Sequence, residues 1–302
     1  MLADVQQGAE FVYDDAKRRI FAGRFAPKMS HYRKKIVKLA LEMRFIDTHM
    51  HLSDEAYRGE EEAVLERALN SNVYKMMMAD IDSSERGPML ALCDAHPGVL
   101  YPMLGFYPGY VRENWQEEVD EVIRECHSGR KFVAIGEIGL DYHSDTRWCK
   151  QQKDALVAQL ELAAKLDKPV NIHLRDATDD FFDVMDACKG LGVRGNLHAF
   201  SGSAQTFKRL RRYGDWSVGL GGVLTFKNAG IAKEAEDIPL ECILLETDAP
   251  YLSPTPLRGK RNESANIPII AQKLADIKQI SLEETARVTT ENALRLFSGL
   301  AE

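Results

Sequence analysis

The chain has 302 residues, 45% of them hydrophobic and 28% charged, with a formal net charge of −7. That length and apolar share suit one large globular domain, and the negative balance argues against broad, sequence-blind binding to duplex nucleic acid. No apolar run is long enough to span a bilayer and no signal-peptide core opens the chain, so no membrane partner is expected; five dispersed cysteines without a CxxC pair suit reduced thiols in the cytoplasm.

Residues 1–44 differ from the rest. From Lys17 to Arg44 ten basic residues stand against Glu42 alone, while Asp4, Glu10, Asp14 and Asp15 fit poorly with an acid-poor transit peptide. The expectation is an N-terminal extension, helical or poorly ordered, ahead of a domain over residues 45–302 whose natural opening is Met43-Arg44-Phe45. A basic arm for nucleic acid is the functional alternative.

From Phe45 onward short apolar runs recur near 45–47, 74–79, 99–105, 132–136, 169–173, 195–199, 216–220 and 242–246. Amphipathic stretches separate them, such as Trp148–Leu166, where Leu156, Leu160, Ala163 and Ala164 keep helical spacing. Pro169 marks a helix end before the fifth run, and Gly190, Gly192 and Gly195 break the chain before the sixth. Strands alternating with helices predict an α/β protein with a parallel sheet. Eight of them predict a (β/α)8 TIM barrel in a single domain, with a doubly wound open sheet as runner-up.

Six potential metal ligands fall at or just past the C-terminal ends of these runs: His49, His51, Glu137, His173, His198 and Asp248. In a barrel those ends share one rim, where active sites are built. His49 and His51 are two apart on a strand and so face the same side. A carboxylate midway through the set can bridge two ions with its two oxygens. Four imidazoles and two carboxylates suit a pair of divalent ions, and imidazole favours zinc or manganese over magnesium. His31, His96, His127 and His143 lack this strand-end setting, although His143 follows Glu137 on the same rim loop.

Several stretches resemble the TatD family of metal-dependent hydrolases: FIDTHMHL (45–52), IGEIGLDY (135–142), VNIHLRDA (170–177), LHAFSGS (197–203) and LLETDAPYLSP (244–254). RGKRNE (258–263) and TTENALRLF (289–297) fit as well, so the likeness runs from Phe45 to Phe297. The resemblance implies a TIM barrel, the same six ligands, divalent metals including magnesium, and deoxyribonuclease activity on single-stranded ends. One departure is local: the family's Gly-x-His-Pro-His stretch reads Gly105-Phe106-Tyr107-Pro108-Gly109 here, which puts substrate contacts near that loop in question.

The expected chemistry is attack on a phosphodiester by a metal-activated water. Asp248 and Glu137 are the catalytic carboxylates, Asp248 both ligating and handling the proton of that water. Arg175 can match a phosphate oxygen with its planar fork or instead close a rim salt bridge with Asp176 or Glu137. Arg258 and Lys260, with Arg261, can hold a nucleic-acid backbone. Glu246 faces the same side as Asp248 and can order a supporting network. Tyr107, Tyr110 and Trp115 can stack on bases or serve as packing. The partner is then single-stranded DNA or a small phosphoester. The alternative activity is hydrolysis of a small phosphoester, ester or amide, since one barrel serves several bonds. A non-enzymatic metal-stabilised scaffold fits the mixed ligand set poorly, because structural zinc sites are closed with four ligands. The oligomeric state is left open.

Overall fold

The apolar runs from Phe45 onward supply the parallel strands, because the helix that follows a strand covers one face and the barrel interior the other. The computed structural model describes residues 43–143 and 145–301, so the extension expected over 1–44 lies almost wholly outside the described residues. One compact unit begins at Phe45.

Among the described residues the strands are β1 (Phe45–Met50), β2 (Val73–Met78), β3 (Leu100–Pro102), β4 (Ile135–Asp141), β5 (Val170–Arg175), β6 (Gly195–Leu197), β7 (Trp216–Leu220) and β8 (Ile243–Leu245). The helices between and after them are α1 (Glu61–Asn70), α2 (Ser83–Ala95), α3 (Trp115–Cys126), α4 (Cys149–Lys165), α5 (Thr178–Ala187), α6 (Ala204–Leu210), α7 (Ile231–Asp237), α8 (Ile267–Lys278) and α9 (Leu282–Leu296). β1-β2-β3 and β4 through β8 form two parallel ladders. Single bridges join them at both seams, Leu104 with Ile135 and Met50 with Ala249, so the eight strands follow one another around a ring. This is the (β/α)8 TIM barrel expected, not the open sheet.

Local chemistry explains the boundaries. Asp82 caps α2 by accepting from the amides of Ser84 at 2.8 Å and Glu85 at 3.1 Å. Ser281 accepts from Glu284 N at 3.1 Å, the first half of a Ser-x-x-Glu box that starts α9. α4 stops at Lys165, ahead of Pro169. The TTENALRLF stretch is structural. Its Ala293, Leu296 and Phe297 pack with Ile46, Met77 and Leu244, while Asn292 donates to the carbonyls of Leu240 and Ile243, each at 2.8 Å.

One difference from the sequence reading matters. Run four was expected to end at residue 136, with Glu137 beyond it, but β4 begins at Ile135 and carries Glu137 as its third residue. Phe132, Val133 and Ala134 are a buried lead-in instead. Apolarity marks burial, and here burial and strand hydrogen bonding are offset along the chain.

Candidate metal centre

The seam between β1 and the segment after β8 is the first element of the site. Asp248 N donates to His49 O, and His51 N donates to Ala249 O, both at 2.9 Å, which sets Asp248 beside the two histidines. Asp47 locks this seam from below. Its carboxylate accepts from Thr247 N at 3.0 Å, Thr247 Oγ1 at 2.6 Å and Ser264 Oγ at 2.6 Å. Asp248 takes a left-handed φ of 54°, and Ala199, just past His198, one of 44°. Such backbone costs about 1–3 kcal/mol per residue and persists where its surroundings hold it.

All six expected ligands meet. His49 Nε2 lies 3.1 Å from His51 Nε2, 3.2 Å from Glu137 Oε2 and 3.6 Å from Asp248 Oδ1. His51 Nε2 is 3.4 Å from Asp248 Oδ1 and 3.8 Å from Glu137 Oε2. On the other side Glu137 Oε1 is 2.9 Å from both His173 Nδ1 and His198 Nε2, which are 3.1 Å apart. Glu137 therefore divides the set, one oxygen facing each pair of imidazoles. Atoms bound about 2.0–2.2 Å from a tetrahedral ion lie about 3.3–3.6 Å from one another. The spacing of His49, His51 and Asp248 comes close to that pattern, so the donor set fits a divalent ion in kind and in span.

Two residues absent from the sequence reading orient these rings. Asn171 Oδ1 accepts from His49 Nδ1 at 2.8 Å, which leaves Nε2 as the ring nitrogen that faces the cluster. Asp141 Oδ2 accepts from His173 Nε2 at 3.0 Å, which turns Nδ1 inward. Both were signalled by strand alternation, Asn171 two before His173 and Asp141 four after Glu137. Glu246 lies buried beneath His198, its Oε1 accepting from Ala199 N and standing 3.8 Å from His198 Nδ1. Gly219 makes room for it, since a Cβ there would overlap the Glu246 carboxyl.

The charges are balanced by proximity. Burial pushes the Glu137 carboxyl up, but His198 and His49, with hydrogen bonds from His173 and His198, hold it well below the usual carboxylate range. Burial likewise opposes the charged form of His49, yet Glu137, Asp248 and Glu246 raise it to about 10. His173 is desolvated too, and its bonds to Asp141 and Glu137 raise it to about 9. Burial and the neighbouring His49 drive His198 down to about 4. Asp248, despite burial, is held low by His51, His49 and His198. Burial lifts Glu246 to about 8.

The remaining expected residues separate clearly. Arg175 is exposed at the end of β5 and pairs with neither Asp176 nor Glu137: Asp176 is taken by His143 at 2.8 Å, and Glu137 by the imidazoles. With His198, Ser201 and Thr206 it lines a cleft of about 210 Å³ beside the cluster. Arg258 lies 3.9 Å over the Phe226 ring, and Lys260 is exposed; among the described residues neither touches the cluster. Arg261 is committed to Glu60 at 2.8 Å and to the Tyr57 ring, and Asn262 clamps the carbonyls of Thr247 at 2.9 Å and Tyr251 at 2.7 Å. His143 stays outside the ligand set. Tyr107 stands edge-on to His173, whereas Trp115 opens α3.

Residues 46–298 match the family model described as TatD related DNase. The chain belongs to the TatD family. It is 36% identical over 252 residues to the uncharacterized metal-dependent hydrolase YabD of Bacillus subtilis, covering 83% of this chain and 98% of that protein. It is 32% identical over 257 residues to a protein of Pantoea ananatis named 3'-5' ssDNA/RNA exonuclease TatD, at 83% and 98% coverage. The crystal structure of YjjV, a TatD homologue from Escherichia coli K12, superposes with a TM-score of 0.78 at 29% identity, over 85% of this chain and 99% of that one. The protein is accordingly a metal-dependent hydrolase on a TatD-type barrel.

Proposed function

We propose that this TatD-family hydrolase is a phosphodiesterase that removes nucleotides from single-stranded DNA ends. His49, His51 and Asp248 would hold one divalent ion and His173 and His198 a second, with a Glu137 oxygen available to each. The observation that carries the reading is the division of Glu137, with Oε2 3.2 Å from His49 and Oε1 2.9 Å from His173 and His198. When bound, such a pair of ions supplies Lewis acidity to the phosphoryl oxygens and lowers the pKa of a water.

The chain's own residues supply the rest. Asp248 is ionised at neutral pH, and its side chain is 17% exposed against 4% for Glu137, so it is the carboxylate able to take a proton at the mouth of the site. Asn171 and Asp141 hold the His49 and His173 rings in their inward tautomers. Arg175, exposed at the edge of the cleft beside His198, binds a phosphate oxygen there. Arg258 and Lys260 act further out along the strand as screened phosphate contacts.

An open cleft edged by an exposed guanidinium supports an oligonucleotide over a substrate sealed in a closed pocket, and the P. ananatis relative named an ssDNA/RNA exonuclease supports the same class. A cytoplasmic setting is supported by five cysteines without disulfide partners. The test is cleavage of end-labelled single-stranded DNA by metal-stripped protein given magnesium, manganese or zinc singly. Restored laddering that Asp248→Asn and His173→Ala both abolish is expected. Folded protein that holds metal yet fails to cleave DNA with any of the three ions would overturn the nuclease reading in favour of small phosphoesters, esters or amides.

A further inference from the structure

Large apolar side chains are seldom exposed on this barrel. Among the described residues they are Leu69, Tyr110, Tyr251 and Leu252, and the last three lie on loops after β3 and β8, at the rim that carries the imidazole cluster. Tyr251 is 54% exposed, yet its place is set: its hydroxyl donates to Asp54 Oδ2 at 2.8 Å, and its ring lies 6.3 Å from His51 at 67°. On the other side Tyr107 stands 5.0 Å from His173 at 82° and backs Tyr110, 5.8 Å away and 52% exposed. Tyr107 can lie there only because residue 109 is glycine, since a Cβ would overlap its Cε1. The Tyr107 and Gly109 departures from the family stretch are therefore one steric unit, and the exposed Tyr110 follows directly after it.

We propose that Tyr110 and Tyr251 are stacking platforms for the unpaired bases that flank the scissile phosphate, one beside each half of the ligand set. The inference rests on the phosphodiesterase reading above. Three observations select a nucleobase as the occupant. The rings neighbour His51 and, through Tyr107, His173, so a phosphate at the cluster carries its own bases to them. The chain's net charge of −7 leaves little non-specific attraction for a phosphate backbone, so the few cations near the site leave room for contacts other than charge to add affinity. A stacked tyrosine gives such affinity without reading sequence, because every base has a π-face. In a duplex those faces are covered by neighbouring pairs, and the platforms thereby select single-stranded ends.

The test is a cycle between protein and substrate, run with metal-loaded enzyme. Tyr110→Ala and Tyr251→Ala are compared with wild type on an oligothymidine and on the same strand with abasic residues at its last two positions, the reacting end being found with intact DNA first. Each truncation is expected to raise KM for the intact strand about 5- to 150-fold, the equivalent of about 1–3 kcal/mol per stacked base, with kcat within a few-fold. On the abasic strand the same truncations are expected to change nothing further, and Tyr110→Phe is expected to restore the wild-type KM. Equal losses on both strands, or no loss on either, would overturn the stacking role while leaving the nuclease intact. Failure of wild type to cleave any strand or a simple phosphodiester with any ion would instead remove the underlying reading, and this inference with it.

Discussion

Asn171→Ala removes one hydrogen bond and no ligand, so it isolates what ring orientation contributes to metal binding. His49 and Asn171 are both fully buried, and the bond between Nδ1 and Oδ1 is 2.8 Å. The alanine keeps the Cβ that packs against Gly136 and loses the acceptor. His49 then has a buried donor without a partner, at a cost of about 1–3 kcal/mol, or it moves its proton to Nε2 and forfeits the lone pair that faces the cluster. Loss of such a supporting contact lowers metal affinity about 10- to 100-fold, which is about 1.4–2.7 kcal/mol. The two estimates agree because they describe one bond from two reference states. The assay is competition between metal-stripped protein and a chromophoric chelator at pH 7.5, with turnover measured at saturating metal. Weakened affinity with kcat recovered at high metal is expected. Asn171→Asp, which keeps the acceptor, should bind at least as tightly as wild type. Affinity unchanged within twofold, or an activity loss that metal cannot restore, would refute the orientation argument.

Gly219→Ala should destabilise the fold by about 1–3 kcal/mol, because its Cβ falls on the buried Glu246 carboxyl, and a urea titration reads the change. Asn292→Ala severs the two bonds that hold the entry to β8 and should cost about 1–3 kcal/mol, with activity per folded molecule unchanged. The pH response of chelator-treated protein follows from the imidazoles. His49 rises from 6.5 to about 10 on folding, so its stabilisation is full below about pH 6.5 and is lost as pH climbs through 10. His173, raised to about 9, loses its share in the same direction. Glu137 and Asp248 are depressed and act oppositely, stabilising above their ordinary values and losing this as pH falls through the lower folded ones. Bound metal displaces the imidazole protons, so urea midpoints between pH 7 and 10.5 should fall for the chelated protein and stay flatter for the loaded one. Parallel curves would mean that His49 and His173 do not carry the protons.

The strand runs, the fourth apart, their alternation with helices and the six residues that gather at the rim were legible in the chain itself, because each is a local pattern. A strand shows its period in a handful of residues, and HxH spacing settles which face a pair shares. Even Asn171 and Asp141 were within reach of the same rule, applied outward from His173 and Glu137. Ring closure decided the rest. It set Asp248 against His49, some 200 positions apart in sequence, through the Asp248 amide and the Asp47 carboxylate that ties Thr247 to β1. It also settled which nitrogen each imidazole turns inward and how Glu137 is shared, since both depend on neighbours from other strands. In the RGKRNE stretch charge alone made Arg258, Lys260 and Arg261 equivalent. Packing assigned Arg261 to Glu60 and Tyr57 and left Lys260 in solvent, because a cation's partner is fixed by what the fold brings within reach.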